Sequence, residues 1–234
     1  MPSTDFSARI DVLRNDLVAQ GRRVQALVEL AFEAVFSRNE QQAARVAQDD
    51  DAIDVADVAL EKASVQLLAD ATREGASLEV GPLRDVLTVV KVNNELERIA
   101  DAAVDVAALV QTLRATNAPF PGTFRVMANS IIGIVRDANA AVYRRDAALA
   151  RVVLQSQHCV TAFKDAILRD AEAQISKGAM TVEFAFLLHE IGSLCELIAD
   201  HCTNVSEQVI YTVSGAIVRH TAAEWVEVPG TPKM

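Results

Sequence analysis

The chain has 234 residues, few glycines (9) and prolines (6), 5% aromatic residues and a net charge of −10 at pH 7. This length can bury a core in one or two domains, and the composition favours long helices packed through small residues over a sheet. The negative charge argues against nucleic acid as a partner, which requires a basic patch, and suits cations, basic protein surfaces or simple solubility.

Apolar residues recur at helical spacing along almost the whole chain and predict six long helices. In chain order these are residues 6–36, 40–73, 82–116, 124–143, 146–176 and 180–214. Pro82 is well placed in the first turn of the third helix. The segment 117–122, with two prolines and a glycine, is the clearest break in the pattern.

The two groups of three helices also share sequence. At an offset of 99 residues, Glu97, Ile99, Ala100, Asp101 and Val106 recur as Glu196, Ile198, Ala199, Asp200 and Val205. These identities predict an internal repeat. The predicted fold is all-α, with two pseudo-symmetric three-helix bundles side by side. The predicted divisions are a first repeat at 1–116, a linker at 117–122, a second repeat at 123–220 and a loose tail at 221–234.

No uncharged stretch approaches the roughly 20 residues that span a bilayer, and the first nine residues lack the features of a secretory signal. The three cysteines, Cys159, Cys195 and Cys202, are an odd number without the spacing of a metal finger. They predict reduced, mostly buried thiols. A cytoplasmic protein is therefore expected.

The repeated element is a pair of carboxylates four residues apart. The pairs are Glu97 with Asp101, and Glu196 with Asp200. Such side chains lie one turn apart on the same helical face, where like charges cost a few tenths of a kcal/mol. A bridging cation would remove this repulsion, because hard cations take oxygen ligands. One turn further on, each pair is followed by another oxygen donor, Asp105 or Asn204.

A further acidic stripe lies on the predicted second helix. Its members are Asp50, Asp54, Asp57 and Glu61, which fall within an arc of roughly 60°. An apolar stripe of Ile53, Leu60 and Leu67 lies about a quarter-turn away. This helix can therefore pack on the third helix and direct its acids toward Glu97 and Asp101. With Asp105, the first half would then gather up to seven oxygen ligands. Acidic stripes also occur as solvated faces, and the spacing alone leaves both interpretations open.

Several enzymatic motifs are absent from the sequence. It has no Glu-x-x-His pair of the di-iron bundles, no His-Glu-x-x-His motif and no glycine-rich phosphate loop. No nucleophile–base pair stands out. His158 and His201 are candidates either for a nitrogen ligand or for an ordinary polar contact. We therefore expect a protein that is not an enzyme.

These motifs resemble the PhoU family over nearly the whole chain. The resemblance is carried by residues 96–101 and 196–207, by the ending at 209–220, by the run at 82–85 and by the aspartates from 50 to 57. It implies two three-helix bundles with multinuclear metal sites on the acidic motifs. The implied metal ligands are Glu97, Asp101 and Asp105 in the first half and Glu196, Asp200 and Asn204 in the second, with Asp50, Asp54 and Asp57 beside the first set.

The resemblance also implies a function. PhoU-like proteins are expected to be non-enzymatic regulators that link the phosphate ABC transporter to a sensor histidine kinase and repress phosphate-starvation genes. The expected cofactors are divalent or trivalent metal ions, with iron, zinc, manganese and magnesium all compatible with carboxylate ligands. The protein would contact membrane proteins without inserting into the membrane, as a monomer or a homodimer.

The sequence departs from the family pattern in the second half. Leu197 replaces the arginine that Arg98 preserves, and the predicted fifth helix has no acidic stripe around Gln157 and Thr161. We therefore expect weaker or different metal binding there. Two alternatives remain open: a metal-free helical adaptor for another transporter or signalling partner, and, less favoured, a carboxylate-bridged metalloenzyme.

Overall fold

The computed structural model of the protein describes residues 4–221 and 224–228, and the side chains of residues 6–218. Its helices are α1 Thr4–Ser37, α2 Glu40–Arg73, α3 Val80–Ala108, α4 Val110–Leu113, α5 Gly122–Arg144, α6 Ala147–Ser176 and α7 Val182–Ser214. The helices α1–α3 form one bundle and α5–α7 form the other. The predicted all-α fold of two three-helix bundles is confirmed.

Two predicted boundaries need correction. The third helix was expected to run unbroken from 82 to 116, but α3 begins at Val80 and ends at Ala108, and the short α4 follows. The tail was expected to be loose from residue 221. Instead, β1 Ile217–Thr221 and β2 Glu224–Val228 form an antiparallel hairpin; the rest of the predicted tail lies outside the described residues. Helical periodicity carries no information about such local strand pairing.

The first two helices of each bundle are joined in the same way. Arg38 and Arg145 each adopt a left-handed backbone conformation, with φ of 52° and 53°. In each case the next residue, Asn39 or Asp146, is an N-cap whose side chain accepts hydrogen bonds from the backbone N–H groups two and three residues on. This shared connection places α6 in the register of α2 at an offset of 107 residues, the separation between Asn39 and Asp146.

One continuous apolar core runs through both bundles, and α3 packs against α7 where they meet. The predicted linker contributes to this core through Phe120. Its ring stacks on Phe124 with centroids 4.9 Å apart, and lies 5.4 Å from Phe36 and 5.7 Å from Phe184. The linker therefore packs into the core that the two bundles share. Within the described residues, no helix is both long enough and apolar enough to cross a membrane.

Candidate metal centre

The acidic face of α2 meets the acidic face of α3, as the sequence predicts. Ile53, Leu60 and Leu67 are buried, which turns the acidic stripe of α2 toward the edge of its contact with α3. Asn93 of α3 is 2% exposed, and its amide donates hydrogen bonds to the carboxylate of Asp57 (2.7 Å) and to the backbone carbonyl of Asp57 (3.0 Å). These bonds fix the register in which the two helices bring their acids together.

The pKa values show that the carboxylates of the two helices interact. Burial and the charges of Asp54, Asp101 and Asp51 raise the pKa of Asp50 to about 6. Burial, then the charges of Asp101 and Asp57, raises the pKa of Glu97. Asp101 thus acts on α2 from α3, and Asp57 acts on α3 from α2. We call Asp50, Asp54, Asp57, Glu97 and Asp101 the α2–α3 acid cluster.

The oxygen atoms of the cluster suit a hard cation. One carboxylate oxygen of Asp50 and the amide oxygen of Asn93 are buried and have no hydrogen-bond partner within the protein. A buried oxygen without a partner is costly, and coordination of a metal ion would satisfy it. The residues of the first half therefore fit the metal ion that the family resemblance implies.

The cluster needs rearrangement before it can coordinate an ion. Among the described residues, no three His, Cys, Asp or Glu side chains gather around one point where they could hold a metal ion. Asp54 and Asp101 are exposed, which permits their carboxylates to rotate inward. Asp105 lies exposed one turn beyond Asp101, where the facing stretch of α2 carries alanines. Its role as a ligand stays a prediction.

The second half carries a different set of side chains at the corresponding positions. In the register set by the N-caps, buried Val46, Ile53 and Leu60 of α2 correspond to buried Val153, Val160 and Ile167 of α6. The acidic positions Asp50, Asp54, Asp57 and Glu61 correspond to Gln157, Thr161, Lys164 and Leu168. No acidic side chain remains at these positions of α6, and one of them carries a positive charge.

The predicted ligands of the second half already have protein partners. The ammonium of Lys164 donates a hydrogen bond to Glu196 and forms a salt bridge with it, and the amide of Gln157 donates to Asp200. The side-chain amide of Asn204 points to the other bundle, where it donates to Glu95 (3.0 Å). The structure therefore does not bring Asn204 together with the other two ligands.

Glu95 joins the two bundles through α7. Its carboxylate lies 2.7 Å from the Nδ1 atom of His201 and accepts the hydrogen bond from Asn204. Burial alone would raise the pKa of Glu95, but these two hydrogen bonds and the charges of His201 and Arg98 bring it below its ordinary value. His201 is thus an inter-bundle contact, the second of the two roles the sequence left open for it.

A cleft lies away from the carboxylate pairs. It has a volume of about 450 Å³ and opens between the bundles, with an apolar floor that includes Leu17 and Val89. Its ionised side chains pair with one another: Arg14 with Asp11 and Asp85, and Arg145 with Asp85. These pairs leave the cleft without an uncompensated charge for a ligand.

A family model described as the PhoU domain matches residues 17–110 and again residues 124–209. The chain belongs to the PhoU family. The two matches place one PhoU domain in each bundle, which confirms both the suspected family and the internal repeat. The acid cluster and the Lys164–Glu196 pair lie within the first and second PhoU domains respectively.

Relatives and solved structures agree with this assignment. The chain is 29% identical over 234 residues to a phosphate-specific transport system accessory protein PhoU homolog of Pseudomonas putida, covering 98% of this chain and 89% of the relative. The PhoU homolog 1 of Thermotoga maritima is 27% identical over 212 residues, covering 90% and 89%. The crystal structure of PhoU from Pseudomonas aeruginosa matches with a TM-score of 0.82 at 26% identity, covering 90% of this chain and 99% of that one.

Three residues that shape the two sites were not singled out from the sequence. They are Asn93, Lys164 and Glu95. Lys164 follows Thr161 by three positions on the same helical face, so an extension of the acidic stripe of α2 to the matching positions of α6 would have found it. Glu95 and Asn93 depend on the register between helices, which local spacing does not give.

Proposed function

We propose that this PhoU-family chain is a non-enzymatic regulator of phosphate uptake and phosphate-starvation signalling. It acts in the cytoplasm by contact with a phosphate ABC transporter and a sensor histidine kinase, which it controls by occlusion or by a change in their conformation. The observation that carries the proposal is the presence of a PhoU domain in each bundle. The relatives that it matches are described as accessory proteins of a phosphate-specific transport system.

A metal ion in the α2–α3 acid cluster belongs to this proposal. Asp50, Asp57 and Glu97 have raised pKa values because burial and neighbouring carboxylates disfavour their charged forms. A divalent or trivalent ion such as iron, zinc, manganese or magnesium would relieve both effects. The ion would hold α2 against α3 and so stiffen the first bundle for contact with its partners.

Exposed apolar side chains at matching places support contact with other proteins. Leu83 and Leu87 near the start of α3 are 36% and 50% exposed, and their counterparts at the offset of 99, Val182 and Phe186 of α7, are 49% and 68% exposed. Exposed apolar groups that recur together are typical of interaction surfaces. We propose these two surfaces as the places where the membrane-protein partners bind.

Deletion of the gene in its host, followed by complementation, tests the regulatory proposal. We expect phosphate-starvation genes to be expressed in phosphate-rich medium without the gene and to be repressed again by the wild type. Glu97→Gln/Asp101→Asn should fail to restore repression, whereas Glu29→Gln/Glu33→Gln, a matched acidic pair on α1, should restore it. Unchanged expression in the deletion strain would contradict a role in phosphate signalling.

Capture of partners from host membranes tests the contact surfaces. A tagged chain should recover the transporter and the kinase after cross-linking. Leu87→Glu and Phe186→Glu should each reduce this recovery because a charge cannot enter an apolar contact. Val12→Glu, which changes a side chain 58% exposed on α1, is the control. Recovery of another transporter instead would favour the adaptor alternative.

A further inference from the structure

The replacement of an aspartate by Lys164 is matched by a second replacement across the helix contact. In the first bundle Asn93 of α3 donates to Asp57 of α2. At the offsets of the two helices, Asp57 corresponds to Lys164 and Asn93 corresponds to Gly192. Both members of a contacting pair have therefore changed between the two halves.

The glycine makes room for the lysine. A Cβ atom placed on Gly192 would lie 3.2 Å from the Cγ atom and 3.6 Å from the Cδ atom of Lys164. A side chain at position 192 would therefore require the stem of Lys164 to shift by a few tenths of an ångström. Gly192 lies one turn before Glu196, so the stem of Lys164 crosses the glycine and its ammonium reaches the Glu196 carboxylate.

The Lys164–Glu196 pair is largely shielded from solvent, and the neighbouring carboxylate of Asp200 also has a hydrogen-bond partner. The side chains of Lys164 and Glu196 are 16% and 27% exposed. One helical turn on, Asp200 accepts the hydrogen bond of Gln157, at the position where the first bundle has Asp50 beside Asp101. The α6–α7 contact thus replaces three acids of α2 by a cation, an amide and a hydroxyl side chain.

We infer that the ammonium of Lys164, whose stem packs on Gly192, supplies the positive charge that balances Glu196 in the second bundle. The second bundle therefore keeps its Glu196–Asp200 carboxylate pair without a metal ion. The second PhoU domain of this chain does not share the metal dependence proposed for the first. This inference concerns α6 and α7 alone, so it does not depend on whether the α2–α3 acid cluster binds metal.

The metal content of a variant that lacks the Glu97 and Asp101 carboxylates of the α2–α3 acid cluster tests the inference. The full chain carrying Glu97→Gln/Asp101→Asn is equilibrated with Mn²⁺, Zn²⁺ or Fe²⁺, desalted and analysed for metal. We expect only trace metal, with no further loss when Glu196→Gln/Asp200→Asn is added. Stoichiometric metal that the added substitutions remove would overturn the inference.

A double-mutant cycle tests the lysine directly. In the presence of a chelator, Lys164→Met should lower Tm by roughly 3–8 °C, because it leaves a shielded carboxylate unpaired. Adding Glu196→Gln to Lys164→Met should restore at least half of that loss, because both charges are then gone. If the losses in Lys164→Met and in Glu196→Gln alone add up to the loss in the double variant, with unchanged helical circular dichroism, the pair contributes nothing and the inference is overturned.

Discussion

Asn93 holds Asp57 through two hydrogen bonds from one buried amide, to the carboxylate at 2.7 Å and to the backbone carbonyl at 3.0 Å. Asn93→Ala should therefore lower the free energy of unfolding by about 1–3 kcal/mol, since it removes both bonds from a buried site. Asn94→Ala, at the exposed neighbouring position, should change it by less than about 0.5 kcal/mol. Urea denaturation of both variants measures the difference, and equal effects would contradict the structural role of Asn93.

The acid cluster contributes less to the stability of the metal-free protein as the pH rises. Burial, then neighbouring charges, raises the pKa of Asp50 from 3.8 to about 6, so between pH 4 and pH 6 the folded protein binds more protons at this group than the unfolded chain. By linkage, the contribution of Asp50 to stability falls across this window. Asp50→Asn should stabilise the metal-free protein at pH 7, by about 1 kcal/mol after allowance for solvent screening.

Stability curves at several pH values, with and without a divalent metal, measure this effect. The stabilisation by Asp50→Asn should be present at pH 7 and should shrink toward pH 4, where the folded carboxyl is protonated and the unfolded carboxyl is only partly ionised. Asp49→Asn is the control, because Asp49 is an exposed neighbour that pairs with Arg45 on the outer face. A destabilised Asp50→Asn protein at pH 7 would contradict the repulsion in the cluster.

The correspondence between α2 and α6 predicts that the aspartates of α2, placed at the matching positions of α6, give the second bundle a metal site. Gln157→Asp/Thr161→Asp/Lys164→Asp restores the three aspartates of α2 opposite Glu196 and Asp200. This variant should gain metal relative to the wild type, because its carboxylates then lack an internal cation. Equilibrium dialysis with Mn²⁺ or Zn²⁺ measures the gain. Gln155→Asp/Ser156→Asp/Arg151→Asp adds acids elsewhere on α6 and should leave metal content unchanged.

The cysteines should differ in their reactivity toward thiol reagents. Cys159 is exposed, whereas Cys195 and Cys202 are buried. Burial, with the charge of Glu196, raises the pKa of Cys195 to about 12, and thiolates are the reactive form. Ellman's reagent should therefore label Cys159 rapidly in the native protein and the other two only on unfolding. Loss of the rapid phase in Cys159→Ser checks the assignment, and rapid labelling of all three thiols would contradict the burial.

The sequence predicts the six long helices and the first acid cluster because both follow from helical periodicity. The apolar stripe of α2 fixes which face is buried, and its acidic stripe must then lie at the edge that meets α3. The cross-helix effects of Asp101 on Asp50 and of Asp57 on Glu97 bear out that arrangement. The expectation that metal occupies this edge stays a prediction.

The features that the sequence does not predict depend on the register between distant segments. Lys164 reaches Glu196 only because α6 and α7 meet at Gly192, and Asn204 turns to Glu95 only because α3 packs against α7. The hairpin of β1 and β2 likewise depends on pairing between two short segments rather than on helical spacing. Periodicity within one helix places a side chain on a face but does not identify its partner.

Elemental analysis of the purified chain measures directly whether the α2–α3 acid cluster binds a metal ion. Wild type, Glu97→Gln/Asp101→Asn and Glu196→Gln/Asp200→Asn would be compared after equal exposure to iron, zinc and manganese. We expect stoichiometric metal in the wild type and in Glu196→Gln/Asp200→Asn, and loss of most of it in Glu97→Gln/Asp101→Asn. A wild type that takes up no metal when supplied would contradict the metal site and would favour the metal-free adaptor.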